Sequence, residues 1–247
     1  MVTTTMRACV CMCNVCVRVR VQAMAHTTIT GVLALSCSLS QQQRAIARGD
    51  KSIMQQCHLG ALQHFELPGK TIGLIGGLGA IGTRVGVLAQ ALGMEVLASS
   101  RTAPAGKRDD GVTVCSVDEL LRESDFVSIH CPLNEETKGF LDAAALRKMK
   151  PSAFVVNTAR GAIIDETALV AALREGRIAG AALDVYGEGS APPPPLPDDS
   201  PLYAFENVVL TPHIGWQRLE TRQRVVDSVA QSIEEYASGK IPAAAIV

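Results

Sequence analysis

The sequence of 247 residues has few aromatic side chains and almost no net charge. Aromatic residues make up 4% of the chain, with one tryptophan, and the formal net charge is −1 at pH 7. A near-neutral chain offers no broad basic surface for nucleic acid or an anionic membrane, so we expect neither partner. Hydrophobic residues make up 47% of the chain and glycines number 21, which is typical of an α/β protein rich in small aliphatic side chains.

Long apolar runs and a secretory signal are also lacking. The most apolar stretch, residues 29–39, is short and interrupted by hydroxyl side chains, so it does not predict a membrane span. Without a secretory signal, we expect reduced thiols rather than disulfides. Four of the eight cysteines are crowded near the amino end, at Cys9, Cys11, Cys13 and Cys16. No histidine follows them at zinc-finger spacing, so we expect no metal site and an unstructured Cys-rich tail over residues 1–20.

Acidic side chains do not occur in the first 49 residues, which carry five arginines. Such a composition is typical of organellar transit peptides. Part of this segment nevertheless has the pattern of a folded domain, because apolar residues recur at near-helical spacing between Ala23 and Ile46. We therefore expect one long helix there and a cytoplasmic protein, with an organellar location as the alternative.

Short apolar runs alternate with helical patterns along the rest of the chain. Asp165 is a candidate N-cap for one of these helices. The alternation, with short links, predicts a doubly wound parallel sheet of the Rossmann type, an α/β fold. We expect a dinucleotide-binding domain over 21–216 and a C-terminal helix and tail over 217–247. The predicted strands span 71–75, 95–98, 112–115, 126–130, 153–157, 179–183 and 208–210, and the predicted helices 80–92, 117–121, 143–148, 166–174 and 219–236.

A glycine fingerprint follows the first predicted strand and opens the next helix. It places Gly77, Gly79 and Gly82 in the spacing G-x-G-x-x-G. The first glycine permits a tight turn, the second lets the backbone approach a pyrophosphate, and the third lets the helix pack closely on the strand. In this context the fingerprint predicts a dinucleotide site.

The end of the second predicted strand indicates which dinucleotide is bound. An acidic residue is usual there when the adenosine ribose is unphosphorylated, but this sequence has Ser100 and Arg101. No carboxylate repels a 2′-phosphate, and a guanidinium is available to pair with it. These residues favour NADP(H), with NAD(H) as the alternative.

Two further motifs supply an anion binder and a proton carrier downstream of the fingerprint. Arg160 follows the predicted strand at 153–157, and His213 follows the one at 208–210. A guanidinium is permanently charged and can bind a carboxylate, whereas an imidazole changes protonation near neutral pH. A 2-oxo or 2-hydroxy acid requires both groups, so the pair predicts hydride-transfer chemistry on such an acid.

Taken together, these residues resemble the D-2-hydroxyacid dehydrogenases over roughly residues 21–241. The variants around Pro132 and Trp216 are most similar to glycerate dehydrogenases (hydroxypyruvate reductases). The resemblance implies a small 2-oxo acid substrate, such as hydroxypyruvate or glyoxylate, and a homodimer with the 23–46 helix in its interface. It rests on the glycine fingerprint and on the segments 23–28, 67–71, 124–133, 156–161, 180–186 and 210–216.

The resemblance also implies roles for individual residues. Arg160 would bind the substrate carboxylate and carbonyl oxygen, and His213 would be the general acid in reduction and the base in oxidation. Asp184 would meet the nicotinamide end of the cofactor. The pyrophosphate would be held by the three glycines and by the amides of Ala80 and Ile81, while Pro132 and Thr158 would line the cleft.

The sequence departs from the family pattern at two places near these residues. The family has a glutamate five residues after the aspartate to orient the imidazole, but here that position is Gly189 and Glu188 comes one residue early. We assign the orienting role to Glu188. One extra glycine, Gly76, also precedes the fingerprint and changes the expected geometry of the turn.

The resemblance further implies a separate substrate domain in front of the dinucleotide domain, and we expect that domain to be largely absent from this sequence. Two other interpretations therefore stay open beside the enzyme. One is a truncated module that binds NAD(P) and dimerises with impaired catalysis, and the other is an unstable fragment. They differ in whether cofactor stabilises the chain and whether a 2-oxo acid is turned over.

Overall fold

The structure is a computed structural model that describes residues 4–51, 62, 64–187 and 196–240, with the backbone alone for residues 4–18. In the described part of the chain, eight strands form one sheet. They are β1 Thr71–Ile75, β2 Glu95–Ser99, β3 Gly106–Lys107, β4 Thr113–Val114, β5 Phe126–Ile129, β6 Phe154–Asn157, β7 Gly180–Leu183 and β8 Val208–Leu210. Their order is β3-β4-β2-β1-β5-β6-β7-β8, and the neighbours are parallel except β3 and β4.

The described helices connect these strands and cover the sheet. They are α1 Thr4–Ser36, α2 Leu39–Ala47, α3 Ala80–Ala91, α4 Val117–Glu123, α5 Ala143–Lys148, α6 Glu166–Arg174 and α7 Leu219–Ala237. The prediction that Asp165 caps α6 is confirmed, because its side chain accepts a hydrogen bond from the amide of Ala168 at 3.0 Å. One 3-10 turn, Gly161–Ile163, follows β6, and another, Pro201–Ala204, precedes β8.

The strand order confirms the predicted doubly wound sheet. From β1 the chain adds strands towards β4 on one side and then crosses back to β5 on the other. The connections therefore reverse direction between β1 and β5, and ligands of such sheets bind at the carboxyl ends of the strands at that reversal. The antiparallel strand β3 was not predicted, because a two-residue strand has no periodicity to detect.

Helices cover both faces of the sheet and bury two apolar layers. Leu120, Leu146 and Leu169 of α4, α5 and α6 pack in one layer, and Ile29 of α1 and Val85 of α3 pack in the other. Gly31 lets α1 approach β7 closely, since a Cβ at this position would lie 2.9 Å from the Cβ of Ala182. This close approach brings the polar side chains of α1 to the carboxyl ends of β6 and β7.

The amino-terminal segment differs from its prediction in two respects. The helix expected over 23–46 is interrupted, because α1 ends at Ser36 and Ser38 adopts a left-handed backbone with φ 50° before α2 begins. The tail expected to be unstructured is helical from residue 4 onwards, as the first part of α1. The side chains of the four clustered cysteines lie outside the described residues.

No single helix in the described ranges is long and apolar enough to cross a bilayer, although the bent pair of Val19–Ser36 and Leu39–Ala47 meets the length and composition criteria together.

Candidate active site

Two glycines of the fingerprint are required by close packing between β1 and α3. The Gly77 amide donates a hydrogen bond to the carbonyl oxygen of Leu74 at 3.1 Å and closes the turn. A Cβ at Gly77 would lie 2.6 Å from the Cβ of Leu74, and one at Gly82 would lie 2.6 Å from the Cα of Gly77. A larger residue at Gly82 would push α3 away from the glycine loop, and one at Gly77 would clash with side chains of β1 and β2.

The space above Gly79 is open. This residue is the N-cap of α3, no side chain caps the helix there, and a Cβ would approach only the Gly76 carbonyl oxygen, at 3.5 Å. The first amides of α3, including those of Ala80 and Ile81, have no intrahelical acceptor and can bind an anion. The extra glycine, Gly76, is accommodated in the left-handed region with φ 76°. The loop therefore fits a dinucleotide pyrophosphate.

A cleft of about 510 Å³ extends from this loop along the carboxyl ends of β1, β2 and β5. Four of the predicted cofactor residues line it: Gly79, Ser100, Arg101 and Pro132. The hydroxyl of Ser100 accepts hydrogen bonds from the amides of Thr102 and Ala103, so it also holds the loop after β2 in shape. Arg101 Nη1 lies 2.8 Å from Glu136 Oε2 across the cleft, a pairing that the sequence did not indicate.

Arg160 combines a fixed backbone with a solvent-exposed side chain. Buried Asn157 accepts a hydrogen bond from the Ala159 amide and donates one to the Arg160 carbonyl oxygen, at 3.0 and 2.9 Å. A Cβ at Gly161 would lie 2.3 Å from the backbone carbon of Tyr186, so only glycine fits at this position. The guanidinium bonds only to the Ala159 carbonyl among the described residues, which leaves its other donors for a ligand.

His213 lies in a tight and strained turn after β8. Its φ of 54° is in the left-handed region, which residues other than glycine adopt uncommonly, with asparagine, aspartate and histidine enriched among them. The His213 amide donates a hydrogen bond to the Thr211 carbonyl oxygen at 2.9 Å, and the side chain is partly exposed. The surrounding structure must therefore hold this backbone in place.

Asp184, at the end of β7, forms several of the contacts that keep the His213 backbone in place. The residue is 2% exposed. Its carboxylate accepts hydrogen bonds from the Ile214 amide at 3.1 Å, from the Gly215 amide at 2.9 Å and from the hydroxyl of Thr211. Because both oxygens are engaged with the segment 211–215, the structure gives Asp184 a contact with the His213 turn in addition to the cofactor role implied by the resemblance.

Two threonines of α1 connect the His213 turn to the Arg160 loop. Thr27 Oγ1 donates to the Gly215 carbonyl oxygen at 3.1 Å, and Thr28 Oγ1 lies 3.0 Å from Thr158 Oγ1. Thr28 and Thr158 are both buried. Neither α1 threonine is predicted as a site residue from the sequence, because helical periodicity marks apolar positions and gives no weight to hydroxyls.

The structure places most of the predicted residues around two separate spaces. The glycine loop, Ser100, Arg101 and Pro132 surround or line the 510 Å³ cleft, whereas Thr158 and Asp184 line a second cavity of about 220 Å³ under α1. Arg160 and His213 line neither of these two spaces. Glu188 lies outside the described residues. Among the side chains that the structure describes, no group of three or more His, Cys, Asp or Glu could hold a metal ion.

Comparison with known proteins assigns this arrangement to a family. The model of the NAD-binding domain of D-isomer specific 2-hydroxyacid dehydrogenases matches residues 30–215, more than half of the chain. The chain belongs to the D-isomer specific 2-hydroxyacid dehydrogenase family. This match confirms the resemblance seen in the sequence. Together with the open glycine loop, it also confirms that the domain binds NAD(P).

Relatives of this dehydrogenase domain carry related names. A glyoxylate reductase from Aeropyrum pernix is 46% identical over 178 residues, which is 72% of this chain and 51% of the relative. A hydroxypyruvate reductase from Blautia hydrogenotrophica is 39% identical over 174 residues, 70% of this chain and 52% of the relative. The chain therefore spans about half the length of these curated relatives.

A solved structure of a reductase has the same fold. An acyclic imino acid reductase in complex with NADPH and D-Arg superposes with a TM-score of 0.78 at 31% identity, covering 93% of this chain and 69% of that one. Its bound NADPH is a property of that protein.

Glu136→Gln should raise the affinity of this dehydrogenase domain for NADPH about three- to tenfold and change that for NADH little. The substitution removes a negative charge from the cleft and frees the Arg101 guanidinium to pair with a 2′-phosphate. Dissociation constants from cofactor fluorescence would measure this, with exposed Glu95→Gln at the far end of β2 as the control. Equal gains for both cofactors would contradict the assignment of Arg101.

Acid should destabilise the dehydrogenase domain through His130, at the end of β5. Burial lowers the pKa of His130 to about 4, and its Nε2 lies 2.9 Å from buried Ser128 Oγ. Between pH 6.5 and 4 the unfolded chain therefore binds a proton that the folded chain does not, so the free energy of unfolding falls as the pH drops through this window.

This loss should be about 3 kcal/mol at most, and less where solvent reaches the ring. Urea unfolding at several pH values would measure it. In His130→Gln, whose neutral amide can still bond to Ser128, the curve between pH 6.5 and 4 should be flatter. Parallel curves for the two proteins would rule out His130 as the cause.

Proposed function

We propose that the chain transfers a hydride between NAD(P)H and a small 2-oxo acid, with hydroxypyruvate/D-glycerate and glyoxylate/glycolate as the favoured pairs. The observation that carries the proposal is the joint anchoring of two loops: α1 bonds to Thr158, two residues before Arg160, and to Gly215, two residues after His213. An anion binder and a proton carrier are thereby held at the carboxyl edge of the same sheet. The names of the relatives support this substrate class.

Each residue has a defined part in the reduction. Arg160 binds the carboxylate and polarises the carbonyl oxygen, so that the carbonyl carbon is ready to accept a hydride. The reduced nicotinamide supplies that hydride when the cofactor is bound. Protonated His213 gives its proton to the oxygen and takes it back in the reverse reaction. Asp184 keeps the His213 turn in place, and Glu188 is the candidate partner of the imidazole.

NADPH is the favoured cofactor in this proposal. The 510 Å³ cleft has Ser100 and Arg101 where an acidic residue would select an unphosphorylated ribose. The exposed ion pair with Glu136 is weak in water, so a phosphate can compete for the guanidinium.

A cytoplasmic location also stays a prediction.

The test is the oxidation of NADPH and NADH by the purified chain in the presence of hydroxypyruvate or glyoxylate. Saturable turnover that requires a 2-oxo acid supports the enzyme. A rise in melting temperature with cofactor, without turnover of either acid, would replace it with the alternative, a module that binds NAD(P) and dimerises. A broad melt that cofactor does not shift would contradict both proposals.

The homodimer is part of the same proposal. Leu33, Leu39 and Ile46 of the α1–α2 segment are 43–47% exposed, which suits an apolar contact with a second copy. Light scattering on the purified chain should give twice the monomer mass of 26.1 kDa. Replacing these three residues by serine should give monomers, and an unchanged mass would locate the interface elsewhere.

A further inference from the structure

The last helix, α7, packs its more polar face on the domain and exposes its more apolar face. The buried and partly buried side chains of α7 lie on the face towards α1, and four of the five are polar: Thr221, Val225, Ser228, Ser232 and Glu235. Arg224 holds the two helices together, because its Nε and Nη2 donate to the carbonyl oxygen of Val19 on α1, at 3.3 and 3.2 Å. Packing on α1 therefore leaves the large apolar residues of α7 in water.

These apolar residues form one stripe along α7. They are 39–78% exposed and make up five of the eleven exposed large apolar side chains in the described part of the chain. The stripe positions alternate at intervals of three and four residues, and Arg222 occupies one of them: Leu219, Arg222, Val226, Val229, Ile233 and Tyr236. Such spacing puts the side chains on one side of a helix and is typical of a helix that packs against another helix.

The stripe has the same spacing in both directions along the helix. Its successive intervals are three, four, three, four and three residues. A second α7 that runs antiparallel therefore matches it about a two-fold axis between Val226 and Val229. In that register Leu219 lies opposite Tyr236 of the second copy. A contact that uses the same surface on both partners closes as a pair.

The charges of α7 favour the antiparallel direction. Three arginines and one glutamate lie within residues 218–224, whereas residues 227–237 carry three acidic side chains and no basic one. In an antiparallel pair the basic end of each helix lies beside the acidic end of the other. A parallel pair would place like charges side by side, and its aligned helix dipoles would also repel.

We propose that the exposed stripe of α7 is an interaction surface for α7 of a second copy of this chain, in antiparallel orientation. The contact is separate from the one proposed for the α1–α2 segment. A helix of 19 residues is about 28 Å long, so one pair of such helices buries a small area. The association therefore forms at higher protein concentration and joins dimers held by α1 and α2.

Sedimentation velocity of the full chain at increasing concentration tests the contact. The wild type should show a concentration-dependent step that doubles the mass found at low concentration. Val226→Ser/Val229→Ser should weaken this step at least tenfold, because it removes the two central apolar side chains, and their exposure should leave the fold intact. Val87→Ser, at an apolar position of α3 that is 48% exposed, is the control and should associate like the wild type.

The variant with serine at Leu33, Leu39 and Ile46 separates this contact from the α1–α2 contact. Only the α7 contact then remains, so the mass should rise from one copy to two and stop there. Growth beyond two copies would indicate non-specific association and would overturn the closed pair. The absence of a concentration-dependent step, or an unchanged step in Val226→Ser/Val229→Ser, would overturn the surface itself.

Salt tests the direction of the two helices. Screening weakens the attraction between the basic and acidic ends, so the α7 association should weaken about threefold between about 50 mM and about 500 mM sodium chloride. A parallel pair would instead gain from the screening of its like charges. An association that salt leaves unchanged or strengthens would overturn the antiparallel arrangement.

Discussion

Arg160→Ala should lower kcat/KM for hydroxypyruvate on the order of 10³-fold and leave the stabilisation by NADPH unchanged. The substitution removes the charge that orients the carboxylate and polarises the carbonyl, and a single lost donor of this kind already costs about 10² to 10³ in rate. The fold should persist, because the loop is held by Asn157 through backbone contacts and the guanidinium is exposed. Steady-state kinetics and a cofactor-dependent melt would separate the two effects.

Two comparisons make the Arg160 result specific. Arg160→Lys keeps the charge and loses the planar fork, so it should recover part of the lost rate. Arg174→Ala, exposed in the last turn of α6, should behave like the wild type. Unchanged turnover in Arg160→Ala would remove this residue from the mechanism.

His213→Gln should reduce kcat about 10²- to 10⁴-fold, the usual contribution of a positioned general acid. Glutamine can still donate a hydrogen bond but cannot transfer a proton. The anchors of the turn, Asp184 and Thr27, do not involve the imidazole, so the loop should keep its place. The measurements are kcat with saturating substrate and the dissociation constant of NADPH, which should not change.

The control for His213 is His26→Gln. His26 is an exposed imidazole of α1 that pairs with Gln22. Its replacement should have no effect on kcat. A similar loss in both variants would indicate a general effect of removing histidine and would contradict the assigned role of His213.

Much of the fold could be predicted, because each buried strand is a short apolar run and each connecting helix has a clear beginning. Asp165 and the glycine fingerprint are local signals of this kind, and both predictions are met in the structure. The break between α1 and α2 was not predictable, since it depends on the left-handed backbone of Ser38, which apolar spacing does not encode.

The sequence names candidate residues of the site, but it does not give their contacts. The motifs identified Arg160, Asp184 and His213, whereas the three bonds from Asp184 to the segment 211–215 are visible only in three dimensions. The pair of Arg101 with Glu136 joins residues distant in sequence, and no local pattern predicts it. The same holds for the cation–π contact of Arg20 with Trp216, which joins the first helix to the last loop.

The left-handed backbone of His213 implies a conflict between heat resistance and activity. In this region the Cβ of an L-residue costs roughly 1 kcal/mol relative to glycine, which adopts the conformation freely. His213→Gly should therefore be as stable as the wild type or more so, although it cannot carry a proton. Selection for thermostability alone would then favour variants that lack the imidazole. A screen of variants of this protein should therefore measure both turnover and thermal stability.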